Sequence, residues 1–159
     1  MKVRAICTLA LCLSVPSNAS EKEIMCLAEN IYHESRSQSL YGQMAVGHVT
    51  MNRVESRMFP DTVCEVVTQG EKKPSWKNGE LVPVKDRCQF SWYCDGMKEE
   101  ILEENAWHDA FMVAAAVYTR DRDTTGGSMW YHADYVRPYW ANSYLEIMRV
   151  DDHIFYTHR

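Results

Sequence analysis

A glutamate stands at position 34, near the end of a helical pattern and just before the turn-prone run Ser35-Arg36-Ser37-Gln38-Ser39. At the lip between a helical core and a second lobe, a carboxylic acid loses solvent on one side. Desolvation raises its pKa toward the working pH, which a general acid needs in order to protonate a leaving oxygen. Position alone is weak grounds, because most helical glutamates are solvated. Two rival chemistries use nearby residue types. His33-Glu34 would open a zinc-binding His-Glu-x-x-His pair, but Ser37 occupies the place of the second histidine. The histidines at 33, 48, 108, 132, 153 and 158 are scattered, and no two cysteines are spaced Cys-x-x-Cys. No metal or other cofactor is therefore expected. A cysteine peptidase would need a free Cys88 thiolate beside His132.

Compartment decides that last rival. Lys2 and Arg4 precede an uncharged stretch from Ala5 to Val15, followed by small residues at Ser17 and Ala19. This is the form of a signal peptide covering residues 1–19, too short for the roughly 20 residues of a spanning helix. A periplasmic or secreted protein follows, and no later segment is apolar enough to cross a membrane. Cys7 and Cys12 leave with the leader. Cys26, Cys64, Cys88 and Cys94 remain, an even number in an oxidising compartment, which reads as two disulfides. Three pairings are possible; Cys26–Cys64 with Cys88–Cys94 is favoured, the second closing a short aromatic loop. The net charge of −5 becomes about −7 without the leader, an acidic balance that argues against a nucleic-acid partner. Residues 20–159 make one domain, large enough to bury about two-thirds of its unfolded surface without a metal.

The elements that must position Glu34 read as mainly helical. Ser20 and Glu23 form a capping-box pattern, and Ile24, Leu27, Ala28 and Ile31 recur at helical spacing up to about Arg36. A second helix is expected from Leu40 to Ser56, and a short one from Thr62 to Thr68 capped by Asp61. Between Gly70 and Gly96 the turn signals Lys72-Lys73-Pro74 and Lys77-Asn78-Gly79 leave only short segments, so a small loop-rich lobe is expected. A long helix from Lys98 to Thr119 and a last strand from His153 to Tyr156 complete the chain.

Six blocks then occur in order: Tyr32-His33-Glu34-Ser35-Arg36, Gly42-Gln43-Met44-Ala45-Val46, Met51-Asn52-Arg53-Val54, Phe59-Pro60-Asp61-Thr62-Val63-Cys64, Cys88 through Gly96, and Tyr131-His132-Ala133-Asp134-Tyr135-Val136. Any one is unspecific. Together they resemble the SleB-type cell-wall hydrolase family over nearly all of the chain after the leader. That resemblance implies an α+β, mainly α fold: a lysozyme-like helical lobe with a small, disulfide-stapled β or loop lobe. It also implies that Glu34 is the catalytic acid/base residue.

By the same resemblance the partner is the glycan strand of peptidoglycan, cut between N-acetylmuramic acid and N-acetylglucosamine. A single catalytic carboxylate suits a lytic transglycosylase; a hydrolase needs a second, for which Asp95 and Asp134 are the candidates. Gln89, Phe90, Ser91 and Trp92 would line the sugar groove, with Phe90 and Trp92 alternatively serving as core of the small lobe. Tyr131 and His132 are further groove candidates, able to bond the glycan or hold Glu34. Asn52 and Arg53 read as structural, bonding loop carbonyls or pairing with a carboxylate. The family pattern continues Arg-Gly-Glu where this chain has Arg36-Ser37-Gln38, which keeps open a glycan-binding or inhibitory domain without turnover. A monomer is expected.

Overall fold

A computed structural model describes residues 17–119 and 122–159; most of the expected leader lies outside them. Four helices and five strands follow in the order α1 (Ser17–Ser35), α2 (Leu40–Glu55), α3 (Val63–Val67), β1 (Gly70–Pro74), β2 (Leu81–Cys88), α4 (Glu104–Tyr118), β3 (Trp130–Ala133), β4 (Leu145–Val150) and β5 (His153–Thr157). Short 3-10 turns occupy Ser91–Cys94 and Tyr139–Ser143. The fold is mainly helical α+β, as expected. Among the described residues, no helix is long and apolar enough to cross a membrane.

The helical lobe forms because apolar residues recur every three to four positions on each helix. Leu27, Ala28, Ile31 and Tyr32 of α1 are buried against Val63, Val66 and Val67 of α3 and Ala110, Val113, Ala114 and Val117 of α4. Each large side chain there contributes about 1.5–3 kcal/mol by leaving water. The Cys26–Cys64 bond fastens α1 to α3. On the other side of α2, Ala45 and Val49 pack on Val150 and Phe155 of the three-stranded sheet, ordered β3-β5-β4 and antiparallel throughout.

Helix ends differ from the sequence expectations in three places. Ser20 lies inside α1, and Glu23 reaches out of its own helix: its Oε2 accepts the backbone N–H groups of Val63 and Cys64 at the start of α3. A carboxylate at a helix N-terminus satisfies donors that have no partner within the helix. The N-cap of α3 is Thr62 and not Asp61, its hydroxyl accepting from the Glu65 N–H. The long helix begins at Glu104 and not Lys98, because the Tyr32 hydroxyl accepts the N–H groups of Leu102 and Glu103 and holds that stretch extended. Ile101 and Leu102 are accordingly exposed.

The small lobe is the antiparallel β1–β2 hairpin, turned at Asn78-Gly79, where Gly79 takes φ +73. Its root is fastened by Cys88–Cys94. Both disulfides therefore join the favoured partners, and no cysteine among the described residues is left as a thiol for a Cys88–His132 peptidase.

Candidate active site

Three elements distant in sequence converge on Glu34. The apolar stripe of α1 runs Leu27, Ile31, Glu34, so the helix period itself turns Glu34 inward at its last turn. On α2 the same period turns Arg53 inward, where only 4% of it is exposed. Strand β3 pairs with β5 so that Tyr131 sits opposite Phe155 and faces the helices. The Tyr131 hydroxyl donates to Glu34 Oε2 at 2.8 Å. Arg53 donates its Nε–H to the Met129 carbonyl at 2.8 Å, and its guanidinium lies over the rings of Phe59 and Phe90. Arg53 thus bonds a loop carbonyl, as expected, and stands behind the carboxylate.

The electrostatics follow from this enclosure. Burial pushes the Glu34 carboxyl above the usual carboxylate range, while the Tyr131 hydrogen bond and the Arg53 charge pull it partly back. Burial, followed by the Glu34 carboxylate, pushes the Tyr131 hydroxyl well up. It therefore stays a neutral donor. Burial likewise depresses His33 and His153, which keeps both imidazoles neutral to lower pH.

Glu34, Gln89, Phe90, Ser91, Trp92, Tyr131 and His132 all line one cavity of about 500 Å³. They do so unequally. Phe90 is 2% exposed and forms the floor under Arg53. Both nitrogens of His132 are engaged internally: Nδ1–H donates to the Ala133 carbonyl, and Nε2 shares a hydrogen bond with the Tyr156 hydroxyl, each at 2.9 Å. Gln89, Ser91 and Trp92 keep surface toward the cavity. Of the candidate second carboxylates, Asp95 lines the cavity and accepts the Met97 N–H in a tight turn. Asp134 lies outside it, paired with Arg149.

Residues beyond the sequence reading also shape the site. Trp92 donates its indole N–H to Asn30 Oδ1 at 2.9 Å, and Asn30, fully buried, donates to the Thr50 hydroxyl of α2 at 3.1 Å. On the cavity side His33 stacks on Trp92, with ring centroids 4.6 Å apart. The signal for Asn30 was present as a polar residue on an otherwise apolar helix stripe. After Glu34, Gln38 exchanges two hydrogen bonds with Asp152, donating to its carboxylate and accepting from its N–H. Ser39 donates its N–H and its hydroxyl to Asp151, whose carboxylate sits so close to Gly42 that a Cβ there has no room. A glutamate at 38 would place a third carboxylate beside these two; the amide of Gln38 supplies a donor instead.

The family model described as Cell Wall Hydrolase matches residues 37–156, and Glu34 lies three residues before that segment. The spore cortex-lytic enzyme of Bacillus cereus is 26% identical over 144 residues, covering 89% of this chain and 47% of that protein. That of Oceanobacillus iheyensis is 28% identical over 145 residues, covering 90% and 44%. The chain thus spans somewhat under half the length of the curated relatives it matches. The crystal structure of the catalytic domain of the Bacillus cereus SleB protein superposes with a TM-score of 0.62 at 25% identity, over 91% of this chain and 97% of that one. The catalytic domain of the germination-specific lytic transglycosylase SleB from Bacillus anthracis gives 0.62 at 27%, over 90% and 100%.

Proposed function

Because the chain belongs to the cell wall hydrolase family, we propose that it cleaves the glycan strands of peptidoglycan, with Glu34 as the acid/base group. The bond cut is the one between N-acetylmuramic acid and N-acetylglucosamine. The observation that carries this reading is the half-buried Glu34 carboxyl, raised by desolvation and bonded through one oxygen only, to Tyr131. With Oε2 occupied by the tyrosine, Oε1 is free to hold the proton and to face a glycosidic oxygen in the cavity. A carboxyl that keeps its proton to higher pH than an ordinary glutamate is what a general acid for this cleavage requires.

As the glycosidic bond breaks, the proton passes from Glu34 to the leaving oxygen and positive charge develops at C1. The Glu34 carboxylate so formed takes the proton of the muramic acid 6-hydroxyl as that oxygen bonds to C1. The product is a 1,6-anhydro sugar, no water is consumed, and Glu34 ends protonated again. A lone carboxylate suffices for this route, whereas hydrolysis uses a pair. Asp134 lies outside the cavity, which favours the one-acid route; Asp95, which lines it, is the observation on the side of hydrolysis. The two disulfides support a place of work outside the cytoplasm, in the periplasm or beyond, for a monomer freed of residues 1–19.

Digestion of purified peptidoglycan, with mass spectrometry of the fragments, tests the reaction. Anhydromuramic ends are expected; reducing ends would make the enzyme a hydrolase and Asp95 its second acid. Cleaved peptide bonds on intact glycans would sink the reading altogether. Glu34→Gln should lose at least about 1,000-fold in turnover and still bind glycan.

A further inference from the structure

The β1–β2 hairpin is built unlike the rest of the chain. Residues 70–88 carry five cations, Lys72, Lys73, Lys77, Lys85 and Arg87, against three acids, in a chain whose net charge is −5. Among the described residues none of those five is held in an ion pair. The hairpin packs chiefly on the Ser91–Cys94 turn at its root, and most of β1 and half of β2 are exposed. Two strands without a core of their own are marginal in water; here a disulfide at the root holds them out. At the tip Trp76 is 90% exposed, with the Lys77 ammonium 5.4 Å from its ring centre. Lys85 passes over Gly96, and β2 runs directly into Cys88 and Gln89 on the cavity wall.

We propose that this hairpin is a docking arm for the carboxylate-bearing stem peptides of peptidoglycan, gripping the peptides while the cavity holds the sugar. The proposal rests on the peptidoglycan reading above. Every N-acetylmuramic acid carries its peptide on the lactyl group, so a strand lying in the cavity presents free carboxylates beside the site at every second sugar. The cavity itself offers amide, hydroxyl and aromatic groups, which suit sugars; the unpaired ammonium groups sit on the arm next to it. Unpaired surface cations attract carboxylates across a Debye length and confer a salt dependence.

Sedimentation of the full chain with sacculi tests the arm, using intact sacculi and the same sacculi with their peptide carboxylates capped as neutral amides by carbodiimide and ammonia. K72E/K73E/K77E should bind intact sacculi about ten-fold more weakly than the parent, the size that three screened surface pairs supply. On the capped sacculi the two should bind alike, and about 0.5 M salt should erase the parent's advantage on the intact material. If the triple variant is poorly folded by circular dichroism, K72Q/K73Q/K77Q should show the same pattern with a smaller drop. Unchanged binding to both materials would overturn the proposal, and so would an equal loss on both, which would mean that the arm grips sugar. Loss of binding only to vesicles containing anionic phospholipid would assign the arm to a membrane and overturn it as well. A parent that neither binds nor cuts any peptidoglycan is a different failure, since it removes the reading of the cavity together with that of the arm.

Discussion

Glu34 and Trp92 face the same cavity, yet the chain holds them by different means. Glu34 is set by the last inward turn of α1, by Tyr131 from β3 and by Arg53 from α2, each fixed by packing between elements far apart in sequence. Trp92 lies in a short turn closed by a disulfide between residues six apart, tied to the helical lobe by its hydrogen bond to Asn30 and by the stacked His33 ring. Disturbing the first region means disturbing the fold. The second can be loosened locally. On the function proposed above, acid chemistry and substrate grip would thus be physically separable in this molecule.

The sharpest way to break that division is to open each disulfide in turn. In the chain-entropy picture a loop of 38 residues is worth about 4 kcal/mol and one of six about 2 kcal/mol. Replacing Cys26 and Cys64 by alanine should therefore cost about twice the unfolding free energy of replacing Cys88 and Cys94, measured by denaturant titration. The second pair should in turn raise KM for glycan, and equal stability losses would count against a core-and-rim description. A smaller effect is expected at Tyr131. Phenylalanine there should lower kcat about 30-fold, or 2 kcal/mol, with KM little changed. It also removes a donor that favours the carboxylate, so the pKa of Glu34 should rise. A general acid fails as pH climbs through its pKa, so the alkaline limb of the pH profile should move to higher pH. Movement to lower pH would contradict the hydrogen-bond assignment. Smallest of the three is Asn30→Leu, which frees the Trp92 indole: KM should rise about five-fold, near 1 kcal/mol, with kcat preserved. A fall in kcat instead would show that rim and acid are coupled.

Linkage gives the stability side of the same carboxyl. A carboxyl whose pKa is raised by folding binds more protons in the folded state, so its burial costs stability as pH rises from the unfolded value through the folded one. Glu34→Gln, already expected to be inactive, should be more stable than the parent at neutral pH by on the order of 1 kcal/mol, with the gain fading in acid.

Much of this is legible in the sequence. The three main helices, the small lobe and the last strand follow from periodicity and turn residues; the cysteine count gives two disulfides with three possible pairings, of which the favoured one forms; and the ordered blocks single out Glu34. What escaped reading was decided by contacts between distant segments. Glu23 pairs with Ser20 in pattern but serves α3 in space. Ile101 and Leu102 look like helix-core residues, and nothing local reveals the Tyr32 hydroxyl that takes the Leu102 and Glu103 N–H groups out of the helix. Strand β4 carries little sequence signal because a bulge between Glu146 and Met148 interrupts its apolar–polar alternation. Asn30 stands out in sequence as a polar residue on the α1 stripe, but its partner Trp92 comes from 62 positions later.

The loop after Glu34 is clasped by Gln38 and Ser39 to Asp151 and Asp152, and Tyr131 is carried on a strand whose neighbour is β5. Those partners lie more than 110 positions downstream of the helix they steady. During synthesis, then, a chain emerging up to α4 has a helical lobe but no clasp, no tyrosine and no back wall to its cavity. The geometry around the acid comes into being only after nearly all of the polypeptide has been made. For a protein read here as a cutter of the wall outside the cytoplasm, that order keeps a half-made copy inert.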